Sequence, residues 1–325
     1  MRRLIFLLVA FLPFGPAVAA DVNIRFPVEY NLDIAPGIAN QEFERIVEER
    51  SEGRIEVTLY PSGNLYRGLD LVQAILRGDA EMSTLISAYW TAVVPNLAAL
   101  ELPYAFPTQD AFYAAIDSEG FVEMAYAGLE EKGGRVIAIL PYDYLVPGTL
   151  TMPLRTPGDM AGLKMRGLGR VNLDMLQTYG ATPVSINFVE LSAALQQGVI
   201  DGLNVPIDAF TSYKWHESVR QVNYATYYIA YYPWVVNAAW WDGLAEEDRT
   251  LLREAAEEVA LNHRERARSV REDAIAALRE EGVDVHIQTS EERRAWREAA
   301  QPVWDRVAAT VPDELMQVIE AHAQE

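Results

Sequence analysis

From Glu246 to Glu281 the chain runs without a proline or a glycine. The segment is rich in Ala, Glu, Arg and Leu, all strong helix formers. At about 1.5 Å per residue, a helix of this length reaches on the order of 50 Å, more than one ordinary domain flanks. Leu251, Ala255, Val259 and Leu261 do not sustain heptads, so a coiled coil is disfavoured. A helix lying across two lobes fits better. Terminal helices are expected at Glu291–Val311 and Asp313–Ala323.

The chain ahead of this helix alternates in character. Buried strands are predicted at Asn23–Phe26, Arg54–Tyr60, Ala80–Ser87, Arg135–Leu140, Leu163–Arg166 and Thr182–Ile186, with a further extended piece from Leu150. Helices are predicted between them, at Pro36–Glu52, Leu69–Arg77, Asp110–Lys132, Val171–Tyr179 and Val189–Gln197. Strands alternating with helices point to an α/β fold with a largely parallel sheet. From Tyr224 to Trp241 the chain is densely aromatic, which suits either a buried strand or a cleft wall. With no low-complexity linker in the sequence, crossing strands are expected to join the lobes.

Met1-Arg2-Arg3, an apolar run broken by Pro13, Gly15 and Pro16, and the small residues Ala17-Val18-Ala19 follow the order of a cleaved export signal. The run is short for a membrane span, which needs roughly 20 residues; the other reading is an uncleaved anchor. Cleavage is expected near Ala19 or Ala20, leaving a soluble periplasmic protein. No later segment is long and apolar enough to span. The sequence has no cysteine, which removes lipid attachment at a lipobox, disulfides, thiolate metal sites and thiol nucleophiles. The formal charge of −20 opposes nucleic-acid binding. It also means that an anionic ligand would need a local, shielded arginine. The bland reading of the charge is solubility.

Enzyme constellations are missing. His216, His263, His286 and His322 have no metal-ligand spacing, and His263, among Glu and Arg, is expected in solvent. There is no GxSxG elbow and no Walker loop, and Gly167-Leu168-Gly169 lacks the third glycine of a dinucleotide fingerprint. No cofactor and no metal are expected. Arg166 ends a strand that opens into a glycine-rich turn and a helix, where side chains face the ligand crevice of open α/β sheets. A guanidinium there grips a carboxylate with two parallel bonds; alone, it reads equally as a surface ion pair.

Several runs are more specific. Pro153-Leu154-Arg155-Thr156-Pro157-Gly158-Asp159-Met160-Ala161-Gly162-Leu163-Lys164-Met165-Arg166, Gly180-Ala181-Thr182-Pro183-Val184, Ala194-Leu195-Gln196-Gln197-Gly198-Val199-Ile200-Asp201-Gly202 and Leu102-Pro103-Tyr104-Ala105-Phe106 stand in order with the Gly78–Ser83 step. Together with the helix-rich tail they resemble the TRAP-transporter solute receptors of the DctP type, over essentially the whole mature chain. The resemblance implies a two-lobe periplasmic-binding-protein architecture of α/β class, backed by the long helix. It implies ligand-driven closure, no catalysis, and delivery to a permease of a small and a large membrane subunit. Residues 21–143 with 231–270 are expected to form one lobe, and 144–230 with 271–325 the other, following the signal at 1–20. A monomer is expected. The resemblance also makes Arg166 look like the family's carboxylate-binding arginine.

Two departures narrow the ligand. Where many acid-binding members carry another arginine, about twenty positions upstream, this chain reads Leu145-Val146-Pro147-Gly148. Asn204 is displaced by one, with Val205 before Pro206. A single anchored carboxylate is therefore expected over a dicarboxylate. Arg170 offers a second charge or a solvent-facing helix residue. Further pocket candidates follow strand ends: Glu29 and Tyr30, Tyr89 and Trp90, Tyr142 and Tyr144, Asn204 and Asp208 on a loop after Gly202, and Tyr232 and Trp234 at the lobe crossing. Core packing is the competing reading for the aromatics. An exported enzyme using the same cleft, or a ligand-sensing subunit for a receptor, remain the alternatives.

Overall fold

The computed structural model describes residues 21–323; the segment expected to be an export signal lies outside the described residues. The first unit is β1 (Val22–Pro27), α1 (Ala35–Arg50) and β2 (Ile55–Tyr60), with β1 and β2 parallel and Val22 opposite Ile55. Ile55 and Val57 turn inward while Glu56 and Thr58 face solvent, as strand alternation requires. Helix α2 (Gly68–Arg77) ends at Gly78 in the left-handed conformation, where a side chain would be strained. Strand β3 is confined to Met82–Thr84, and the segment predicted to continue it turns instead into α3 (Ser87–Trp90). A 3₁₀ segment follows at Pro95–Glu101. The single helix predicted over Asp110–Lys132 is broken into α4 (Gln109–Ile116) and α5 (Phe121–Ala125), because Gly120 and Gly128 both take positive φ.

The largest departure is β4 (Gly134–Thr149), a 16-residue strand where a strand was predicted over Arg135–Leu140 alone. Then come β5 (Lys164–Gly167), α6 (Arg170–Thr178), β6 (Thr182–Ser185), α7 (Leu191–Gln196), β7 (Gly202–Pro206), α8 (Ala209–Ser212), β8 (Gln221–Tyr224), β9 (Ile229–Asn237) and α9 (Ala238–Gly243). Asn204 therefore sits within a strand, not on a loop. The first part of β4 pairs antiparallel with β9, from Gly134 opposite Asn237 to Tyr144 opposite Ile229. From Leu145 onward it pairs with β7 and then with β8. One strand thus belongs to the sheets of both lobes. Its register against β9 shifts between Val136 and Ala138 and again between Pro141 and Tyr144, where a proline that cannot donate is tolerated.

The long helix is α10 (Glu246–Glu280), about 52 Å from end to end. Glu246, Glu247 and Asp248 occupy its first turn, favourable to the helix dipole. It packs on α1 and β4 in one lobe and reaches α8 and β10 (Asp284–Ile287) in the other. Helices α11 (Ser290–Ala299), α12 (Gln301–Ala308) and α13 (Asp313–His322) close the chain; the run predicted as one helix from Glu291 breaks at Ala300. His263 corrects another expectation, because it is fully buried. It faces β4, with its ring 6.2 Å from that of Tyr142, and burial lowers its pKa to about 4. Among the described residues no helix is long and apolar enough to cross a membrane.

Candidate functional site

Between the lobes lies a narrow cavity. Glu29 reaches it just past the end of β1, Tyr89 from α3, Arg166 from β5, Asn204 from β7 and Tyr232 from β9. Leu85, Ile86, Leu145, Leu168, Phe188 and Val205 supply most of the apolar wall. Parallel β5 and β7 end side by side, with Arg166 opposite Leu203 in register, so their C-terminal ends deliver polar groups to one place.

Arg166 is 3% exposed. Its Nε donates to the Ile186 carbonyl at 3.1 Å and its Nη1 to the Asn204 carbonyl at 3.3 Å. Nη2 is buried and has no protein partner, and neither has Asn204 Oδ1. Burial pulls the guanidinium pKa below its usual range, while Tyr89 and Glu29 push it back up. Glu29, also 3% exposed, has its carboxyl pKa raised by burial; Tyr89, Arg166 and the Gly68 amide hold it down. The Tyr89 hydroxyl lies 3.4 Å from Glu29 Oε1 and 3.3 Å from Asn187 Oδ1, so its one proton serves either oxygen. A buried cation with an unspent donor, in a mostly apolar enclosure, is a site for an anion.

The cavity is sealed by contacts between lobes. The Tyr213 hydroxyl accepts from the Asn31 amide at 2.9 Å. Gly169 packs so closely that a Cβ there would lie 2.9 Å from the Cβ of Ala88.

Of the sequence-predicted residues, Glu29, Tyr89, Arg166, Asn204 and Tyr232 share the cavity, as does Tyr30. Tyr142 and Asp208 are hydrogen-bonded to each other behind it, with the Tyr142 ring 6.1 Å from that of Tyr232. The other four lie elsewhere. Trp90 is fully buried in its own lobe. Tyr144 donates to the Phe106 carbonyl at 3.0 Å. Trp234 packs between Phe26 and Phe43 and donates to Asn40 Oδ1 at 3.1 Å. Arg170 is exposed in an outer groove that also holds Arg67, Asp174 and Arg306. Asn187 and Phe188 were missed, although they follow the end of β6 and the same strand-end rule applies to them.

Residues 35–310 match the family model for DctP, bacterial extracellular solute-binding protein, family 7. The chain belongs to the DctP family. Its members are TRAP-transporter solute-binding proteins, not enzymes. This DctP-family protein is 30% identical over 314 residues to the C4-dicarboxylate-binding periplasmic protein DctP of Rhodobacter capsulatus, covering 95% of this chain and 93% of that one. It is 27% identical over 304 residues to the 2,3-diketo-L-gulonate-binding periplasmic protein YiaO of Escherichia coli, with 92% and 91% covered. Among solved structures, the sugar acid binding protein DctPAm of Advenella mimigardefordensis, in complex with galactonate, superposes with a TM-score of 0.89 at 21% identity, covering 94% of this chain and 99% of that one. A TRAP periplasmic solute-binding protein of Sulfurospirillum deleyianum with bound succinate gives 0.87 at 23%, covering 93% and 99%. These likenesses carry the two-lobe fold.

Proposed function

We propose that this protein is an exported receptor that captures an organic acid through a single carboxylate and delivers it to a TRAP permease. The observation that carries the reading is Arg166 Nη2, a buried charged donor with no protein acceptor. The guanidinium bonds only backbone carbonyls, so a ligand carboxylate is the group that completes it. Relatives named for dicarboxylate and sugar-acid binding support the ligand class, and relatives named as periplasmic support export. The finer choice of a monocarboxylate rests on the wall, where Arg166 is the only cationic side chain among the described residues and Glu29 already contributes a carboxylate. In this reading residues 21–143 with 231–270 close as one body on 144–230 with 271–325.

Breaking a buried charge pair costs roughly 3–5 kcal/mol, so Arg166→Ala is expected to weaken acid binding by about 100-fold or more. Titration calorimetry checks this; an affinity near that of the wild type removes Arg166 from its role.

A further inference from the structure

Glu29 and Arg166 approach the cavity from opposite walls, one from the end of β1 and the other from β5. Each feels the other's charge, but no hydrogen bond joins them. Among the described residues they are the only charged side chains lining the space. Asp208 stands behind Tyr142, outside the wall. The charge count therefore decides what the closed cavity accepts. A carboxylate laid on Arg166 neutralises the guanidinium and leaves Glu29 a buried carboxylate whose remaining cationic influence is Arg67, outside the wall, which is costly. A second ligand carboxylate near Glu29 adds like-charge repulsion. A hydroxyl or an ammonium there removes the problem by donating to Glu29. Tyr89 and the Gly68 amide already hold the Glu29 carboxyl in place.

We infer that Glu29 is the specificity-determining residue of the site, selecting acids that carry an O–H or N–H donor on the body away from the carboxylate and rejecting dicarboxylates. The inference rests on the reading of Arg166 as the carboxylate anchor. It also gives the ligand two ends held by two different lobes, so that only an acid with both groups bridges them.

The test is calorimetry of the full mature chain at neutral pH with matched four-carbon acids that differ only at the far end: butyrate, 4-hydroxybutyrate, 4-aminobutyrate and succinate. Hydrogen bonds to charged groups are strong enough that the hydroxyl or ammonium acid should bind at least about 10-fold tighter than butyrate, with succinate the weakest. The hydroxyl and ammonium arms tell a hydroxy acid from a zwitterion. Glu29→Gln keeps an oxygen acceptor for Tyr89 and the backbone, and should compress the spread, costing the ammonium acid most and raising succinate relative to butyrate. Identical rankings in wild type and E29Q, or succinate binding best to the wild type, overturn the inference. If E29Q does not fold, the wild-type ranking decides alone. Arg166→Ala separates the two readings. Loss of all binding in R166A alongside a flat wild-type ranking leaves the anchor standing and discards only Glu29. No binding by any of the acids, or binding indifferent to R166A, discards the anchor itself.

Discussion

Glu101 is a second buried carboxyl, and it does not line the cavity. It ends the 3₁₀ segment after α3 at 1% exposure. Its Oε1 accepts from the hydroxyls of Ser87 at 3.1 Å and Thr91 at 2.9 Å, and its Oε2 is without a partner. Burial pushes its pKa up to about 7. The folded protein thus holds this proton to near neutrality, while an unfolded chain releases it near pH 4.5. The resulting stability is fully present below about pH 4.5 and is lost as pH rises through about 7. Above that, the ionised group costs on the order of 3 kcal/mol. Glu101→Gln keeps an acceptor for both hydroxyls and removes this pH dependence. Denaturation at pH 5 and pH 8 should show E101Q gaining on the wild type chiefly at pH 8; an equal difference at both values sinks the assignment. Buried His263, with its pKa lowered to about 4, has the opposite effect, losing stability as pH falls below about 6.5. The comparison of E101Q with the wild type cancels that contribution. Neither burial was readable in the sequence. Among the Glu and Arg of its helix, His263 looks solvated until the face packed on β4 is known.

At the scale of elements, the join between β5 and α6 governs how closely the lobes meet. Gly169 has φ +76, and its Cα faces Ala88 of α3 across the cleft. Gly169→Val adds both backbone strain and a clash with Ala88, so the lobes should be held apart. Small-angle scattering of the ligand-loaded variant is expected to give a larger radius of gyration than the loaded wild type, with affinity reduced about 10-fold or more although Arg166 is unaltered. A loaded radius equal to that of the wild type removes Gly169 from the seam. The strand–helix alternation was legible because it is written in local periodicity. What escaped was non-local. Strands β7, β8 and β10 are 4 or 5 residues long, and their identity comes from pairing with β4 or with each other. Aromatic candidates divided for a similar reason. Tyr232 and Trp234 share a strand, but two residues carry the chain about 7 Å from the cavity into the packing under α1. Tyr89 and Trp90 are adjacent on α3, and only Tyr89 lines the cavity. The place of Arg166 on the cavity wall was legible from both its strand end and its motif; Asn204, displaced from the motif position, was picked out by its place after Gly202, with its strand unrecognised.

For the molecule as a whole, the long helix has a thermodynamic consequence. Leu252, Ala255 and Val259 are buried toward the end that packs on α1, and Ala274 and Leu278 toward the end that reaches β10. Arg54 pairs with Asp248 at 2.9 Å near its start, and Arg279 donates to the Val285 carbonyl at 3.2 Å near its finish. Melting either lobe would strip one end of a helix whose other end stays packed, and β4 would be torn midway along its length. The two halves should therefore melt together. Scanning calorimetry is expected to show one endotherm with matching calorimetric and van 't Hoff enthalpies, moving upward as a unit when an acid binds. Two resolved endotherms would mean that the shared helix and strand do not couple the lobes. A disulfide-free protein whose halves melt together would offer proteases no half-unfolded intermediate in which one lobe hangs open.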